Sequence, residues 1–130
     1  MNANTTANAY KNQQIMTASP ENLTLMLYNG AIRFVNESIK ALELGDKEKS
    51  HSANLRAQDI VREFMCTLDM KIEMSKTWLA LYDYIEHCLI QGNIKKDIQQ
   101  LSEAKNMLTE MRDTWVEAMK LVRSNRAVAR

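Results

Sequence analysis

The chain has 130 residues, 45% of them apolar and 25% charged, with a net charge of +1. That is enough for one domain with a single apolar core, and it offers no basic excess to neutralise a nucleic-acid backbone. Only Gly30, Gly45, Gly92 and Pro20 are available for special backbone angles, which excludes the many tight turns of an all-β or α/β fold and leaves few turns and long helices.

Residues 1–18 are rich in Asn, Thr and Ala, and Tyr10, Ile15 and Met16 are their only sizeable apolar groups. So little apolar surface predicts a mobile arm. The first helix opens at Ser19-Pro20-Glu21. Serine caps a helix, proline fits its first position, and an acid there suits the dipole. Gly45 is the expected C-cap. Asp46 then caps a second helix running to about Leu68. A third helix is expected over 73–91 with Gly92 as its C-cap, and a fourth from Ile94 to Arg123 with Asn93 as its N-cap. Residues 124–130 read as a disordered tail. Short links between long amphipathic helices predict an all-α, antiparallel up-down-up-down four-helix bundle over 19–123.

Three helices carry one apolar stripe each. They are Ala53, Ala57, Ile60, Val61, Phe64 and Leu68; then Met74, Trp78, Leu81, Tyr82, Ile85 and Leu89; then Leu101, Ala104, Leu108, Met111, Trp115, Met119 and Val122. The first helix carries two. One is Leu23, Leu27, Gly30, Ala31, Phe34 and Ala41; the other is Leu25, Tyr28, Ile32, Val35 and Ile39. Together they span an arc of about 220°, against ~100° for an ordinary surface helix. Either both stripes are core, or the second is partly uncovered and receives a guest segment or the chain's own N-terminal arm.

Catalytic chemistry finds no foothold. Glu48 with His51 is the one Glu-x-x-His match, and a di-iron bundle needs two. His87 has no such partner. Both histidines read as solvated surface, and so do Asp83 and Glu86. Cys66 and Cys88 are too few for a disulfide framework or a zinc site and read as inert, semi-buried thiols. No Gly-rich phosphate loop or nucleophile elbow occurs. No cofactor and no metal are expected. No apolar run approaches the ~20 residues that cross a bilayer, and the polar start lacks a signal-peptide core, so the expected location is the cytoplasm without membrane insertion. Nine methionines suit either a core or a surface that accepts irregular apolar partners.

The string TASPENLTLMLYNGAIRF at 17–34 resembles the FliS family of flagellin export chaperones. Further matching strings follow in order: AY at 9–10, RAQDI at 56–60, TLD at 67–69, LYDY at 81–84, NIKKD at 93–97 and RDTW at 112–115. No single string is specific, but the ordered set is. The family commonly carries Asp where Asn29 stands here.

The resemblance implies an antiparallel four-helix bundle in the cytoplasm. It implies 1:1 binding of the disordered C-terminal segment of flagellin, which prevents premature polymerisation. It also implies presentation to the cytoplasmic domain of the export-gate protein FlhA, with no enzyme activity and no cofactor. The helical wheel selects Leu25, Tyr28, Ile32, Val35 and Ile39 as client contacts. Gln58, Asp59 and Tyr84 join them as polar positions inside matching strings. The resemblance gives Tyr10 a role at the export gate, with Ile15 and Met16 beside it in the arm. The alternative expectation is a self-associating helical-bundle adaptor, a homodimer when free.

Overall fold

A computed structural model describes residues 19–129. The expected arm, with Tyr10, Ile15 and Met16, lies outside the described residues. Four helices follow in order: α1 Pro20–Glu43, α2 Lys47–Thr67, α3 Met74–Lys95 and α4 Ile98–Ala129. No strand occurs among the described residues.

The first two helices begin and end where the sequence places them. Ser19 Oγ accepts the Asn22 N–H at 3.2 Å, and Pro20 follows in the first turn. At the other end Gly45 takes φ +78°. Its N–H donates to Leu42 O at 3.0 Å, and that of Asp46 to Ala41 O at 2.8 Å. This double closure needs a left-handed residue, which glycine adopts without strain. Asp46 then caps α2 by accepting the Lys49 N–H at 3.0 Å.

The junction of α3 and α4 corrects the sequence reading. Gly92 does not end α3; it is buried inside it. A Cβ there would lie 2.7 Å from Leu101 Cδ2, so glycine serves the close approach of α3 to α4. The helix runs on to Lys95, and Lys96 takes the left-handed position at φ 52°. Asp97, not Asn93, caps α4, accepting the Gln99 N–H at 2.9 Å. Helix α4 continues through 124–129, beyond the expected end at Arg123, and Arg126 reaches Glu21 at 3.6 Å.

Each helix packs on two neighbours: α1 on α2 and α4, and α3 on α2 and α4. Cross-helix pairs fix the register. Between α1 and α2, Tyr28 stacks on Phe64 at 4.5 Å and Ser38 Oγ donates to Ser50 O at 2.9 Å. Between α2 and α3, His51 pairs with Asn93, Asn54 with Leu89 and Arg62 with Glu86. Along each pair of helices the numbers rise on one and fall on the other. Val35, Val61, Ile85, Leu89, Leu101 and Leu108 are fully buried at the centre.

Packing on two sides settles the two stripes of α1. Tyr28, Val35 and Ile39 of the second stripe are buried. Leu23, Leu27, Gly30 and Phe34 of the first are only partly covered. Phe34 sits beneath the guanidinium groups of Arg33 and Arg56, at 5.1 and 5.6 Å. The second stripe is therefore core along most of its length, with Leu25 and Ile32 half-buried.

Candidate functional site

The connection of residues 68–73 is the longest of the three and is built unlike the others. Asp69 Oδ1 accepts the Lys71 N–H at 3.0 Å, closing a local turn. No side chain caps the start of α3. Three large apolar residues ride on this segment and the first turn beyond it. Met70, Ile72 and Met74 are 46%, 56% and 65% exposed.

Beneath Ile72 and Met74 opens a cleft of about 380 Å³. Its walls come from all four helices: Thr24, Phe64, Leu68, Trp78 and Trp115 stand around the edge. Tyr28 and Tyr82 line it from within the core. Phe64 stacks between the two tyrosines, at 4.5 and 5.4 Å, and Trp78 tilts against Tyr82 at 6.2 Å. Trp115 is held in place by Nε1 donating to Glu21 O at 3.4 Å. On the far side of the same connection, Met65, Met70, Leu79 and Ala80 line a second hollow of about 340 Å³. Both chain tryptophans and three of the nine methionines thus gather at one end of the bundle.

The sequence-selected residues do not converge on this cleft. Tyr28 lines it. Leu25 and Ile32 are half-buried on α1, while Val35 and Ile39 are sealed in the core. Gln58 is not the wet position its polarity suggests. It is buried and donates to Asn54 Oδ1 at 2.7 Å, while Asn54 Nδ2 donates to Leu89 O at 3.1 Å. This amide pair ties α2 to α3 and satisfies its own buried polar atoms. Asp59 is exposed on α2.

Tyr84 is exposed and lines a separate polar hollow of about 520 Å³ with His87, Cys88, Gln100 and Glu103. Its phenol pKa is raised, first by the hydrogen bond with the Cys88 thiol. Cys88 is buried, and burial pushes its own pKa up. Cys66 is exposed rather than semi-buried. Among the described residues, no three His, Cys, Asp or Glu side chains gather as metal ligands. Among them, too, no helix is long and apolar enough to cross a membrane.

Trp78, Trp115, Ile72 and Met74 are the site residues that periodicity missed, because each also fits a core stripe or a loop. The available signal was the connection itself. A short link without glycine that carries Met70, Ile72 and Met74 is too apolar for a solvated loop.

Residues 2–122 match the family model described as Flagellar protein FliS. A flagellar secretion chaperone FliS of Bacillus subtilis is 39% identical over 118 residues, covering 91% of this chain and 89% of that one. The protein of the same name from Salmonella typhimurium is 30% identical over 104 residues, 78% of this chain and 77% of that one. The Escherichia coli protein is 26% identical over 108 residues, 81% and 79% respectively. These relatives are named as chaperones, not as enzymes. The chain belongs to the FliS family of flagellar secretion chaperones.

Proposed function

We propose that this chain binds the disordered C-terminal segment of flagellin, one to one, and docks its apolar residues in the cleft walled by Trp78 and Trp115. The observation that carries this reading is an aromatic cleft open to solvent in a chain of this family. A disordered segment that folds on binding must recover its ordering entropy from a large apolar contact. The cleft, the second hollow and the exposed residues between them offer apolar surface on both sides of the connection. Aromatic anchors and methionines suit such a guest, the first for contact area and the second for adaptability. Bound flagellin is kept from polymerising in the cytoplasm and is presented to the cytoplasmic domain of FlhA, with Tyr10 contributing to that step. The arm containing Ile15 and Met16 competes with the client, so deleting residues 1–16 raises client affinity.

Titration of the full chain with a peptide of the last ~40 residues of flagellin tests the reading, a length that buries the area coupled folding requires. A 1:1 complex that gains helix supports it. Absence of binding overturns it. The exposed Met70, Ile72 and Met74 also favour a second reading, self-association of the free chain into a homodimer. Mass measurement with and without the peptide separates the two. A stable dimer that ignores the peptide establishes the adaptor instead.

A further inference from the structure

The aromatic stack at the cleft has one hydrogen-bond donor to spare. The hydroxyl oxygens of Tyr28 and Tyr82 lie 2.6 Å apart, and both residues are buried. Two phenols carry two hydroxyl protons, and their mutual bond uses only one. Burial raises the pKa of both phenols. Either oxygen can be the donor in the shared bond, so one phenol proton of the pair is left over. Among the described residues neither hydroxyl has a partner besides the other.

The other polar groups of the lining are mostly occupied. Thr24 Oγ1 donates to Pro20 O at 3.0 Å, and Thr67 Oγ1 to Phe64 O at 3.1 Å. Trp115 Nε1 is turned to Glu21 O. Ser75, also buried, supplies the one remaining hydroxyl. An occupant of this cleft thus meets carbon almost everywhere and buried hydroxyls only at the phenol pair and Ser75.

We propose that the Tyr28–Tyr82 pair donates this proton to a main-chain carbonyl of the docked segment, so that the cleft selects an apolar stretch where a helix ends or the chain is extended. Carbonyls inside a helix are already engaged, and only those of its last turn are free. A buried donor facing such an engaged surface stays unpaired, which is costly. The cleft therefore discriminates against a continuous helix of equal hydrophobicity. This inference rests on the reading that the cleft receives the flagellin tail.

Calorimetric titration of the full chain with the flagellin C-terminal peptide separates the two ideas. The Tyr28→Phe, Tyr82→Phe double variant is expected to weaken binding about tenfold, the effect of one lost buried hydrogen bond. Either single variant keeps one phenol proton and changes affinity less than about threefold. Trp78→Ala removes a wall of the cleft and weakens binding about a hundredfold. If Trp78→Ala weakens binding and the double variant does not, the hydroxyl anchor is wrong and the cleft reading stands. If Trp78→Ala changes nothing, both fall.

A peptide series keeps the test independent of how the variants fold. Each main-chain amide in turn is replaced by an ester, a weaker acceptor, and titrated against the unaltered chain. One position is expected to lose about tenfold. A flat series overturns the proposal.

Discussion

The two ends of the bundle differ in how their connections are built and in what opens beneath them. At one end, the α1–α2 and α3–α4 turns are tight and double-closed, with Gly45 and Lys96 in left-handed conformations and Asp46 and Asp97 capping the next helix. There Gly92 lets Leu101 press directly on α3. At the other end, the α2–α3 connection has no such closure, and Met70, Ile72 and Met74 stand in solvent above an aromatic cleft. The lesson concerns connections more than helices. Exposed apolar residues occur at both ends, Leu44 and Ile94 at the first and Met70, Ile72 and Met74 at the second, but only the looser connection stands over an aromatic cleft.

The sharpest way to break this contrast is at the tightly turned end. Leu101→Ala empties a site that is fully buried, and it should cost about 3–4 kcal/mol of stability. The shift of the urea midpoint measures it. Affinity of the folded fraction for the flagellin peptide should stay unchanged. A comparable loss of affinity would mean that the two ends are not independent.

The converse change is Trp78→Ala. Its hundredfold loss of affinity corresponds to about 2.7 kcal/mol. Because Trp78 is only half-buried, the accompanying loss of stability should be smaller than at Leu101. Calorimetry and chemical denaturation of the same sample report both quantities. A variant that loses more stability than affinity would make Trp78 a core residue and the cleft incidental.

Gly45→Ala probes turn chemistry alone. No atom lies within 4 Å of the added methyl group, so the cost comes from holding alanine at φ +78°. That strain is about 1–2 kcal/mol. Thermal melting detects it as a drop of a few degrees, and peptide binding should not respond.

The last effect vanishes at neutral pH. Tyr28 and Tyr82 have pKa values raised above the ordinary 10.0 by burial. The folded state then holds protons that the unfolded state gives up. Their contribution is complete below about pH 10 and is lost as pH rises past that value. Denaturation midpoints should fall on the alkaline side. The fall should be shallower in the Tyr28→Phe, Tyr82→Phe double variant, and equal slopes would contradict the buried phenol pair.

Much of the fold was legible because its signals are local. Ser19, Pro20, Gly45 and Asp46 act on backbone groups within a few residues, so their roles follow from residue type and order. The core stripes of α2, α3 and α4 are legible for the same reason, since period 3.6 is a property of one helix. Gly92 was misread because glycine serves both a C-cap and a close helix crossing, and only the position of Leu101 distinguishes them. Gln58 was misread because its partners, Asn54 and through it Leu89, include a residue on another helix.

The amino-acid sequence by itself determined an all-helical chain, its family and the absence of catalytic motifs, through composition, capping residues and an ordered set of strings. Tertiary structure decided which stripe of α1 is buried and where apolar surface remains. Burial depends on what neighbouring helices cover, and no single helix carries that information. Tyr28, Phe64, Tyr82 and Trp115 come from four different helices, and only packing brings them to one cleft.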